Sequence, residues 1–304
     1  MKILVTGGAG FIASNICDAY VADGHEVIIV DNLIAGKKQN LNKKARFYKV
    51  DIRDKKKLES VFKKEKPQVV NHHAAQIDIR KALENPAYDA DVNVLGTINL
   101  LELCVKYKIE KVIFPSSGGA VYGELVKIPA DESHPIKPIS PYGITKFAVE
   151  KYLYYYHVTY GLKYTILRYG NVYGPRQDPM GDAGVISIFI GKLKQAQAPF
   201  IFGDGEQLRD YVYVGDIVEV NRLALKKGDN EVFNIGTGKG GSVNLLFKEL
   251  AEIMKFLHPP VFQPPRPGEI YVTYLDAKKA KSILGWEAKV SIKEGLKRTV
   301  EYFK

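Results

Sequence analysis

The sequence predicts an α/β fold, in which helices cover both faces of one doubly wound parallel sheet. Strand-like and helix-like segments alternate through the first two-thirds of the chain. The strand-like segments are short and continuously apolar, as expected for strands that are buried on both faces. The first of them runs through a glycine-rich turn directly into a helical pattern. These three observations together indicate a sheet built from β-α-β units.

The predicted strands lie in the first two-thirds of the chain, and each is separated from the next by a helical stretch or a turn. They are KILVTG, HEVIIVDN, ARFYKVDI, QVVNHHA, KVIFPSS and KYTILRYG. The longest helical patterns cover residues 87–106 and 141–160, and the last ones cover 276–284 and 292–303. Proline density rises after Phe256, which is typical of irregular connections.

From these elements we expect a Rossmann-like domain with a smaller lobe packed against it. Residues 1–170 are predicted to bind the cofactor, and residues 171–304 to form mainly a C-terminal substrate-binding lobe. A later segment near residues 205–235 is expected to return to the first domain. The functional site then lies between the two parts, at the carboxyl ends of the strands.

Composition limits the classes of partner. The chain has 304 residues, 46% of them hydrophobic, which is enough for a substantial core. Its formal net charge is +10, but the lysines are scattered and are not interleaved with aromatic residues as a nucleic-acid platform requires. We therefore expect no nucleic-acid partner. An anionic small-molecule substrate suits the positive balance.

Three further features indicate a cytoplasmic protein without a membrane partner. No run of eighteen apolar residues appears. The N-terminal MKILVTGGAG is better interpreted as a buried strand than as a signal peptide. Cys17 and Cys104 lie in apolar, helix-like stretches without metal-ligand spacing, so we expect core thiols in a reducing compartment.

The turn after the first strand carries a dinucleotide-binding fingerprint. Gly8, Gly10 and Ala13 fit G-x-G-x-x-G/A, and Gly7 with Gly10 fits an offset version. The glycines let the backbone approach a pyrophosphate, which the amides of the following helix bind. Asp31 ends the second strand pattern, where a carboxylate accepts from both ribose hydroxyls and repels a 2′-phosphate. The pattern therefore favours NAD over NADP.

A second motif indicates proton transfer coupled to hydride transfer. In SPYGITKFAVEKYLYYYH, Tyr142 and Lys146 are four residues apart and so share one helix face. A phenol with a pKa of about 10 is a poor base at neutral pH. A neighbouring ammonium, together with a positive nicotinamide ring, lowers that pKa, so Tyr142 is the candidate base. His72 and His73 point to opposite faces of a strand, and we expect no metal site there.

Taken in order, eight segments resemble the extended short-chain dehydrogenases/reductases that act on nucleotide sugars. The resemblance covers essentially the whole chain and is closest to UDP-glucose 4-epimerases. It implies a UDP-sugar substrate, bound NAD and a homodimer joined through the helices near residues 87–106 and 141–160. The segments are TGGAGFIASN, VDN, HHAAQ, DVNVLGTINLLE, SSGGAVYGE, SPYGITK, RYGNVYGPR and GDGEQLRDYVYVGDIV.

The resemblance also implies roles for individual residues. It makes Tyr142 the catalytic base and Lys146 its partner, which also holds the nicotinamide ribose. Other positions match cofactor contacts: Gly7, Gly10, Phe11, Ile12, Asp31, Asn32, Asp51, Ile52, Ala74, Ala75, Asn93 and Tyr169. The positions that match substrate contacts, with the two arginines at the diphosphate, are Gly118, Asn171, Arg209, Arg266 and Glu269.

At Gly118 the sequence departs from the family pattern. The family's third catalytic position, three residues before the valine of V-Y-G, is a serine or threonine, and counting back from Val121 gives Gly118. Ser117 is then the candidate helper of Tyr142, with Ser116 as the alternative. A further expectation is that Gly118 opens room for the substrate or for a water molecule.

The following positions discriminate between reactions. Related 4,6-dehydratases carry Asp-Glu there and UDP-glucuronate decarboxylases typically a Glu, whereas this chain has Gly119 and Ala120. Eliminating water requires a proton donor for the departing hydroxyl, and this loop supplies none. Oxidation at carbon 4, rotation of the keto sugar and hydride return still work. The sequence therefore predicts an isomerase that epimerises carbon 4.

Three functions remain as alternatives. The first is a UDP-hexose 4-epimerase for UDP-glucose and UDP-galactose. The second is a UDP-glucuronate or UDP-N-acetylglucosamine 4-epimerase, since Thr273 aligns near a position where the family controls room for an N-acetyl group. The third, suggested only by Gly118, is a non-catalytic NAD-binding sensor or scaffold.

Overall fold

The computed structural model describes residues 1–179, 184–265 and 270–304 of the chain. Its strands are β1 (Lys2–Thr6), β2 (Glu26–Asp31), β3 (Arg46–Lys49), β4 (Val69–His72), β5 (Lys111–Ser117), β6 (Lys163–Tyr169), β7 (Asn171–Tyr173), β8 (Phe200–Phe202), β9 (Leu208–Arg209), β10 (Tyr211–Tyr213), β11 (Glu231–Ile235), β12 (Gly241–Ser242), β13 (Val261–Gln263) and β14 (Val272–Thr273). A seven-stranded sheet has the order β11-β6-β5-β4-β1-β2-β3, and all its neighbouring strands are parallel. The predicted fold class is confirmed.

Helices connect these strands and cover the sheet. They are α1 (Phe11–Ala22), α2 (Lys55–Glu65), α3 (Ile79–Glu84), α4 (Pro86–Ala90), α5 (Gly96–Lys106), α6 (Gly118–Val121), α7 (Pro141–Tyr160), α8 (Val185–Lys194), α9 (Val214–Ala224), α10 (Val243–Met254) and α11 (Ile292–Phe303). In the described ranges no helix has both the length and the apolar character needed to cross a bilayer.

Both faces of the sheet are buried, as the apolar strand patterns predict. Along β1, Ile3 and Val5 belong to one hydrophobic cluster with α1 and α9, while Leu4 belongs to another with α2, α5 and α7. Each of these side chains is fully buried. Burial of one such side chain stabilises the fold by about 1.5–3 kcal/mol. The two clusters therefore hold the strand ends, where the site is built, in fixed positions.

The longest predicted helix is confirmed at both of its ends. Ser140 begins α7, because its hydroxyl accepts from the Gly143 amide at 3.1 Å, and Pro141 occupies the first helical position. Gly161 ends the helix with a φ of 73°, a conformation that favours glycine. These local signals explain why residues 141–160 were predictable from the sequence.

A π-helical turn interrupts the other long helix. The predicted segment 87–106 is formed by α4, the π-helical turn Asp91–Leu95 and α5. Such turns are rare and are often found at functional sites. This one carries Asn93, a predicted cofactor contact.

The C-terminal part has its own core but also completes the main sheet. Its cluster includes Phe189, Ile201 and Leu246. By contrast, β11 pairs with β6 at the edge of the main sheet, and α9 packs against α1. The chain therefore returns to the large sheet after leaving it, while the division at residue 170 stays a prediction.

Candidate active site

The loops after the central strands meet at one edge of the sheet. β1, β4, β5 and β6 are parallel neighbours, so Thr6, His72, Ser117 and Tyr169 all lie at the carboxyl edge. Open parallel sheets bind ligands in the crevice at this edge. Several of the predicted site residues, among them Gly7, Ala74 and Ser117, belong to these strand ends or follow them closely.

The glycine turn after β1 has no space for a side chain. Gly7 has a φ of +68°, and a Cβ there would lie 2.7 Å from the backbone nitrogen of Ala74. The Gly10 amide donates to the Gly7 carbonyl at 2.9 Å, and Gly10 caps α1. Phe11 and Ile12 follow as the first, partly buried residues of α1. A bare backbone turn beside a helix N-terminus is the arrangement that binds a pyrophosphate.

Asp31 presents a fixed carboxylate at the end of β2. Its Oδ2 accepts from the Ala9 amide at 3.0 Å, and its Oδ1 accepts from the Leu33 amide at 2.7 Å. Burial raises the pKa of Asp31, whereas the two backbone hydrogen bonds lower it. The carboxylate therefore lies where the adenosine ribose of a dinucleotide is expected.

Asn32 and Asp51 lie together beside this carboxylate. Asn32 Nδ2 donates to Asp51 Oδ2 at 2.9 Å, and Arg53 donates to both Asp51 oxygens at 3.0 and 2.9 Å. These hydrogen bonds, with that from the Arg53 side chain the largest cause, hold the pKa of Asp51 well below its ordinary value. Ile52 is buried, and a Cβ on Gly96 would lie 2.8 Å from its Cδ1. These predicted cofactor contacts are thus held together by hydrogen bonds and packing.

The remaining predicted cofactor residues lie over β4 and β6. Ala74 and Ala75 follow β4 and pass across the Gly7 turn. The Tyr169 hydroxyl accepts from Asn221 Nδ2 at 2.8 Å. The His73 ring lies 6.3 Å from the Tyr169 ring, centre to centre.

Asn93 is held by a buried hydrogen-bond network. Its Oδ1 accepts from the Gln76 amide at 2.8 Å, and its Nδ2 donates to the Gln76 carbonyl at 3.0 Å and to Asp89 Oδ1 at 3.1 Å. Thr145 on α7 donates to the other Asp89 oxygen at 2.7 Å. Sequence reasoning missed Asp89, because nothing local in DADVN shows that α4 packs against α7.

Tyr142 and Lys146 share one face of α7, as predicted. Lys146 Nζ lies 5.7 Å from the centre of the Tyr142 ring and donates to the Pro115 carbonyl at 2.9 Å. Burial lowers the pKa of Lys146 to about 8, while Asp89 and then Glu150 raise it. Burial raises the pKa of Tyr142, Asp89 raises it further, and a hydrogen bond with Ser117 opposes the rise. A phenol therefore stands beside an ammonium, and further positive charge is needed to make it a base near neutral pH.

The two serines at the end of β5 have different partners. Ser116 is buried and donates to Glu150 Oε1 at 2.6 Å. Glu150 is also paired with Arg168 through both of its oxygens, at 3.0 and 2.6 Å. Ser117 instead lies close enough to Tyr142 to lower the pKa of its phenol. Ser117, rather than Ser116, is therefore the hydroxyl beside the candidate base.

Gly118 opens no space, and the expectation that it does is wrong. A Cβ there would lie 2.4 Å from Cδ1 of Leu275, which is buried. The φ of Gly118 is outside the left-handed region, so space rather than backbone conformation requires glycine. Gly119 is the open position, since the nearest atom to its Cβ would be Asn171 Oδ1 at 3.8 Å.

The substrate-side residues are only partly described. The side chain of Asn171 lies across from Gly119. The backbone N–H of Asn171 donates to the Asp210 carbonyl at 2.6 Å. Arg209 donates to the Leu208 carbonyl at 2.9 Å, which fixes the direction of its guanidinium. Two further predicted residues lie outside the described residues: Arg266 and Glu269.

A cavity of about 410 Å³ in the C-terminal lobe was not predicted from the sequence. Gln207 lines this cavity, and within the described ranges its buried amide oxygen has no hydrogen-bond partner. Aromatic walls with a few convergent polar groups suit a flat polar heterocycle. The lining residues are Phe202, Gly203, Asp204, Gln207, Gln263, Pro265 and Tyr271.

Both ring nitrogens of His72 are occupied by hydrogen bonds. Thr6 and Thr97 hydrogen-bond the two ring nitrogens of His72 at 2.7 and 2.8 Å. Burial lowers the pKa of both His72 and His73 to about 3, so both rings are neutral. Among the described residues, no group of three His, Cys, Asp or Glu side chains has metal-binding geometry.

The fold and the site together define a dinucleotide-dependent enzyme of the short-chain dehydrogenase/reductase type, with a glycine turn, an acidic strand end and a Tyr–Lys pair. The chain belongs to the NAD dependent epimerase/dehydratase family, whose model matches residues 3–236. The family resemblance carried by the motifs is thereby confirmed.

Individual relatives match over nearly their full length. The chain is 54% identical to a UDP-glucose 4-epimerase of Thermotoga maritima solved with UDP-glucose, with a TM-score of 0.98 and coverage of 100% of this chain and 98% of that one. It is 43% identical to the Thermus thermophilus UDP-glucose 4-epimerase complex with NAD, with a TM-score of 0.95 and coverage of 100% and 99%. It is also 41% identical to the UDP-glucose 4-epimerase of Mycolicibacterium smegmatis, covering 100% of this chain and 99% of the relative.

Proposed function

We propose that this chain is an NAD-dependent 4-epimerase that interconverts UDP-glucose and UDP-galactose. The observation that carries the proposal is the placement of Tyr142 and Lys146 on one face of α7, at the carboxyl edge of the sheet. Gly119 and Ala120 next to them supply no acid. The residues present thus support reversible oxidation of an alcohol and do not support elimination of water.

The residues at the other end of the crevice fit NAD. Gly7 lies against the Ala74 backbone with no side chain between the turn and the crevice. The Asp31 carboxylate suits two ribose hydroxyls and disfavours a 2′-phosphate. Bound there, NAD would supply the acceptor and donor of the carbon 4 hydride, and the positive charge of its nicotinamide would favour the phenolate of Tyr142.

Each polar residue beside the reacting carbon has a separate task. Tyr142 accepts the proton of the 4-hydroxyl as the carbonyl forms, and gives it back after the keto sugar has rotated. Lys146 stabilises the phenolate by its charge. Ser117, whose hydroxyl lowers the pKa of Tyr142, is the helper hydroxyl that the family pattern places at residue 118.

The C-terminal lobe holds the nucleotide portion of the substrate. The cavity beside Phe202 and Tyr271 accommodates the uracil ring. Arg209 and Arg266 bind the diphosphate, Glu269 contacts the ribose or uridine, and Asn171 contacts the sugar-diphosphate side. The net charge of +10 attracts such an anionic substrate.

A larger sugar is the second candidate substrate. Thr273 is buried in β14, directly paired with Arg209 on β9. A small residue at this position leaves room for an N-acetyl group, which favours UDP-N-acetylglucosamine as the alternative. UDP-glucuronate remains the third.

One experiment tests the function. The purified protein is mixed with UDP-galactose without added cofactor, and the anomeric protons of the sugar are followed by NMR. Appearance of UDP-glucose is expected, because NAD is regenerated in every turnover and copurifies. If UDP-galactose stays unchanged after NAD is added, UDP-N-acetylglucosamine and UDP-glucuronate are tested in turn. Inactivity with all three substrates contradicts the proposal and favours a sensor.

Three variants test the catalytic assignments. We expect Tyr142→Phe to lose at least about a thousandfold in kcat while NAD stays bound, since general acid-base catalysis contributes about 10²–10⁴-fold. Ser117→Ala is expected to lose about tenfold or more in kcat with little change in KM. Gly119→Ala, at the open neighbouring position, is the control. Full turnover in Ser117→Ala removes the helper role.

The proposed enzyme works as a homodimer in the cytoplasm. α7 exposes Ile144, Tyr152 and Tyr155 on one side, and Leu95 is exposed just before α5. These apolar side chains support a contact through the two helices. Cys17 and Cys104 are buried free thiols, which suits a reducing compartment.

A further inference from the structure

A buried carboxylate lies behind the Tyr–Lys pair. Asp89 is fully buried and accepts hydrogen bonds from Gln76 Nε2 at 3.0 Å, Asn93 Nδ2 at 3.1 Å and Thr145 Oγ1 at 2.7 Å. All three donors are neutral. Throughout the described ranges, no Lys or Arg nitrogen reaches Asp89 at ion-pair distance. A buried carboxylate without a cation costs stability, so its presence requires a reason.

The matching positive charge is Lys146. Its ammonium is buried and donates to the neutral carbonyl of Pro115. Thr145 connects the two charges, because it precedes Lys146 on α7 and its hydroxyl donates to Asp89. The field of Asp89 acts on both Lys146 and Tyr142. Asp89 and Lys146 are therefore each other's counter-charge, and Thr145 in the first turns of α7 connects them.

We propose that Asp89 is a positioning residue that keeps Lys146 charged beside Tyr142 during turnover. The proposal rests on the proposed function, in which the cofactor brings a second positive charge next to Lys146. Two neighbouring positive charges repel and favour loss of the lysine proton. Asp89 offsets that repulsion from a position that does not touch the substrate.

The other groups that face Lys146 do not replace Asp89. Glu150 lies one turn along α7, but Arg168 pairs with both of its oxygens. His72 and His73, at the end of β4, are neutral because burial lowers their pKa values to about 3. Before NAD is bound, Tyr142 is a neutral phenol, because burial raises its pKa. Asp89 is thus the negative charge of this cluster that, among the described residues, accepts hydrogen bonds from neutral donors only.

The charge of Asp89 has a directional effect on pH dependence. A negative charge raises the pKa of a neighbouring lysine and of a neighbouring phenol. Removing it lowers both values, so the acidic and alkaline limbs of the kcat profile both move to lower pH. Loss of one unit charge within a protein interior is expected to shift each limb by about one to two pH units. A merely structural residue changes the height of the profile and leaves its limbs in place.

Asp89→Asn tests the proposal, because it keeps the shape and removes the charge. Asp91→Asn, two residues along and facing Arg53 near the surface, is the matched control. The kcat and KM for UDP-galactose are measured from pH 5 to 10 on protein with its copurified NAD. We expect both limbs to shift in Asp89→Asn only, with KM nearly unchanged. The proposal is contradicted if both limbs of the Asp89→Asn profile lie at the same pH as those of the wild type.

A second measurement does not depend on turnover. The protein is labelled with lysine carrying ¹³C at Cε, and the Lys146 resonance is identified by its loss in Lys146→Arg. Its titration is expected near pH 8 in the wild-type protein without ligands and at lower pH in Asp89→Asn. An unchanged titration overturns the pairing even if the enzyme is active. A shifted titration in a protein without epimerase activity supports the pairing and rejects the proposed function instead.

Discussion

Residue 118 is a glycine because the side chain of Leu275 leaves no room for a larger residue. This requirement is steric and does not come from catalysis at residue 118. The family pattern has a hydroxyl-bearing residue at this position. Here a Cβ at residue 118 would lie only 2.4 Å from the Cδ1 methyl group of Leu275. The Leu275 amide donates to Asp210 Oδ2 at 3.1 Å, which fixes the leucine from the C-terminal side. Ser117, one residue earlier, is therefore the residue that we propose as the helper hydroxyl. The packing of residue 118 and that of residue 275 therefore depend on each other.

This coupling predicts the relative stabilities of the wild type, two single variants and the double variant. Gly118→Ala forces a methyl group against Leu275, and overpacking of this kind costs roughly 1–3 kcal/mol. Leu275→Ala leaves a cavity and costs about 2–5 kcal/mol. In the double variant the added methyl occupies the vacated space, so its cost is expected to be at least about 1 kcal/mol less than the sum. Urea unfolding measures all four free energies.

Gly119→Ala is the control, because its Cβ enters open space. We expect it to change the free energy of unfolding by less than about 1 kcal/mol. If Gly118→Ala costs the same in the wild type as in the Leu275→Ala background, the coupling is contradicted. Sequence reasoning found the departure at Gly118 but gave it the wrong cause. Leu275 is 157 residues away in the chain, and only the folded structure brings the two together.

At the scale of elements, local signals were predictable and long-range pairings were not. The six predicted strands became β1 to β6, because each is a short segment rich in apolar or β-branched residues. Ser140, Pro141 and Gly161 marked α7. The short strands of the C-terminal lobe have two or three residues each, too few for a periodic pattern. The π-helical turn Asp91–Leu95 was also missed, since its sequence continues an ordinary helical pattern.

The position of α7 depends on a buried ion pair. Glu150 on α7 binds Arg168 on β6 and Ser116 on β5, so it holds the helix against the two strands beneath the site. Arg168 also donates to the Tyr122 hydroxyl at 2.8 Å. Removing one partner of such a pair leaves the other charge buried and unpaired. The network therefore fixes Tyr142 and Lys146 relative to Ser117.

We predict that Glu150→Gln lowers the free energy of unfolding by roughly 3–5 kcal/mol. Its control is Asp23→Asn, which breaks the partly exposed pair with Arg222 and is expected to cost at most about 1 kcal/mol. Denaturant midpoints of both variants provide the comparison. Equal losses in the two variants rule out a special role for the buried pair. Replacement of both partners, Glu150→Leu with Arg168→Met, is expected to recover part of the loss.

At the scale of the whole molecule, charge and apolar surface act in opposite directions. Each chain carries a net charge of +10, so two copies repel each other. Ile144, Tyr152 and Tyr155 nevertheless share one side of α7 and are 55%, 37% and 48% exposed. Burying these side chains in a dimer removes apolar surface from water and offsets the repulsion. The dimer is therefore expected to tighten as salt screens the charges.

Tyr152→Glu tests this surface, because it places a charge within the expected contact. Tyr154 is 58% exposed on a different side of the same helix, so Tyr154→Glu is the matched control. Light scattering during gel filtration is expected to give a dimer for the wild type and for Tyr154→Glu, and a monomer for Tyr152→Glu at low protein concentration. A Tyr152→Glu variant that stays dimeric across a hundredfold dilution places the contact elsewhere. Tyr142, Lys146 and Ser117 all come from one chain. The monomer is therefore expected to keep its kcat within about an order of magnitude as long as α7 stays folded. A larger loss in a folded monomer means that the second copy holds α7 in its active position, and the dimer is then part of the catalytic unit.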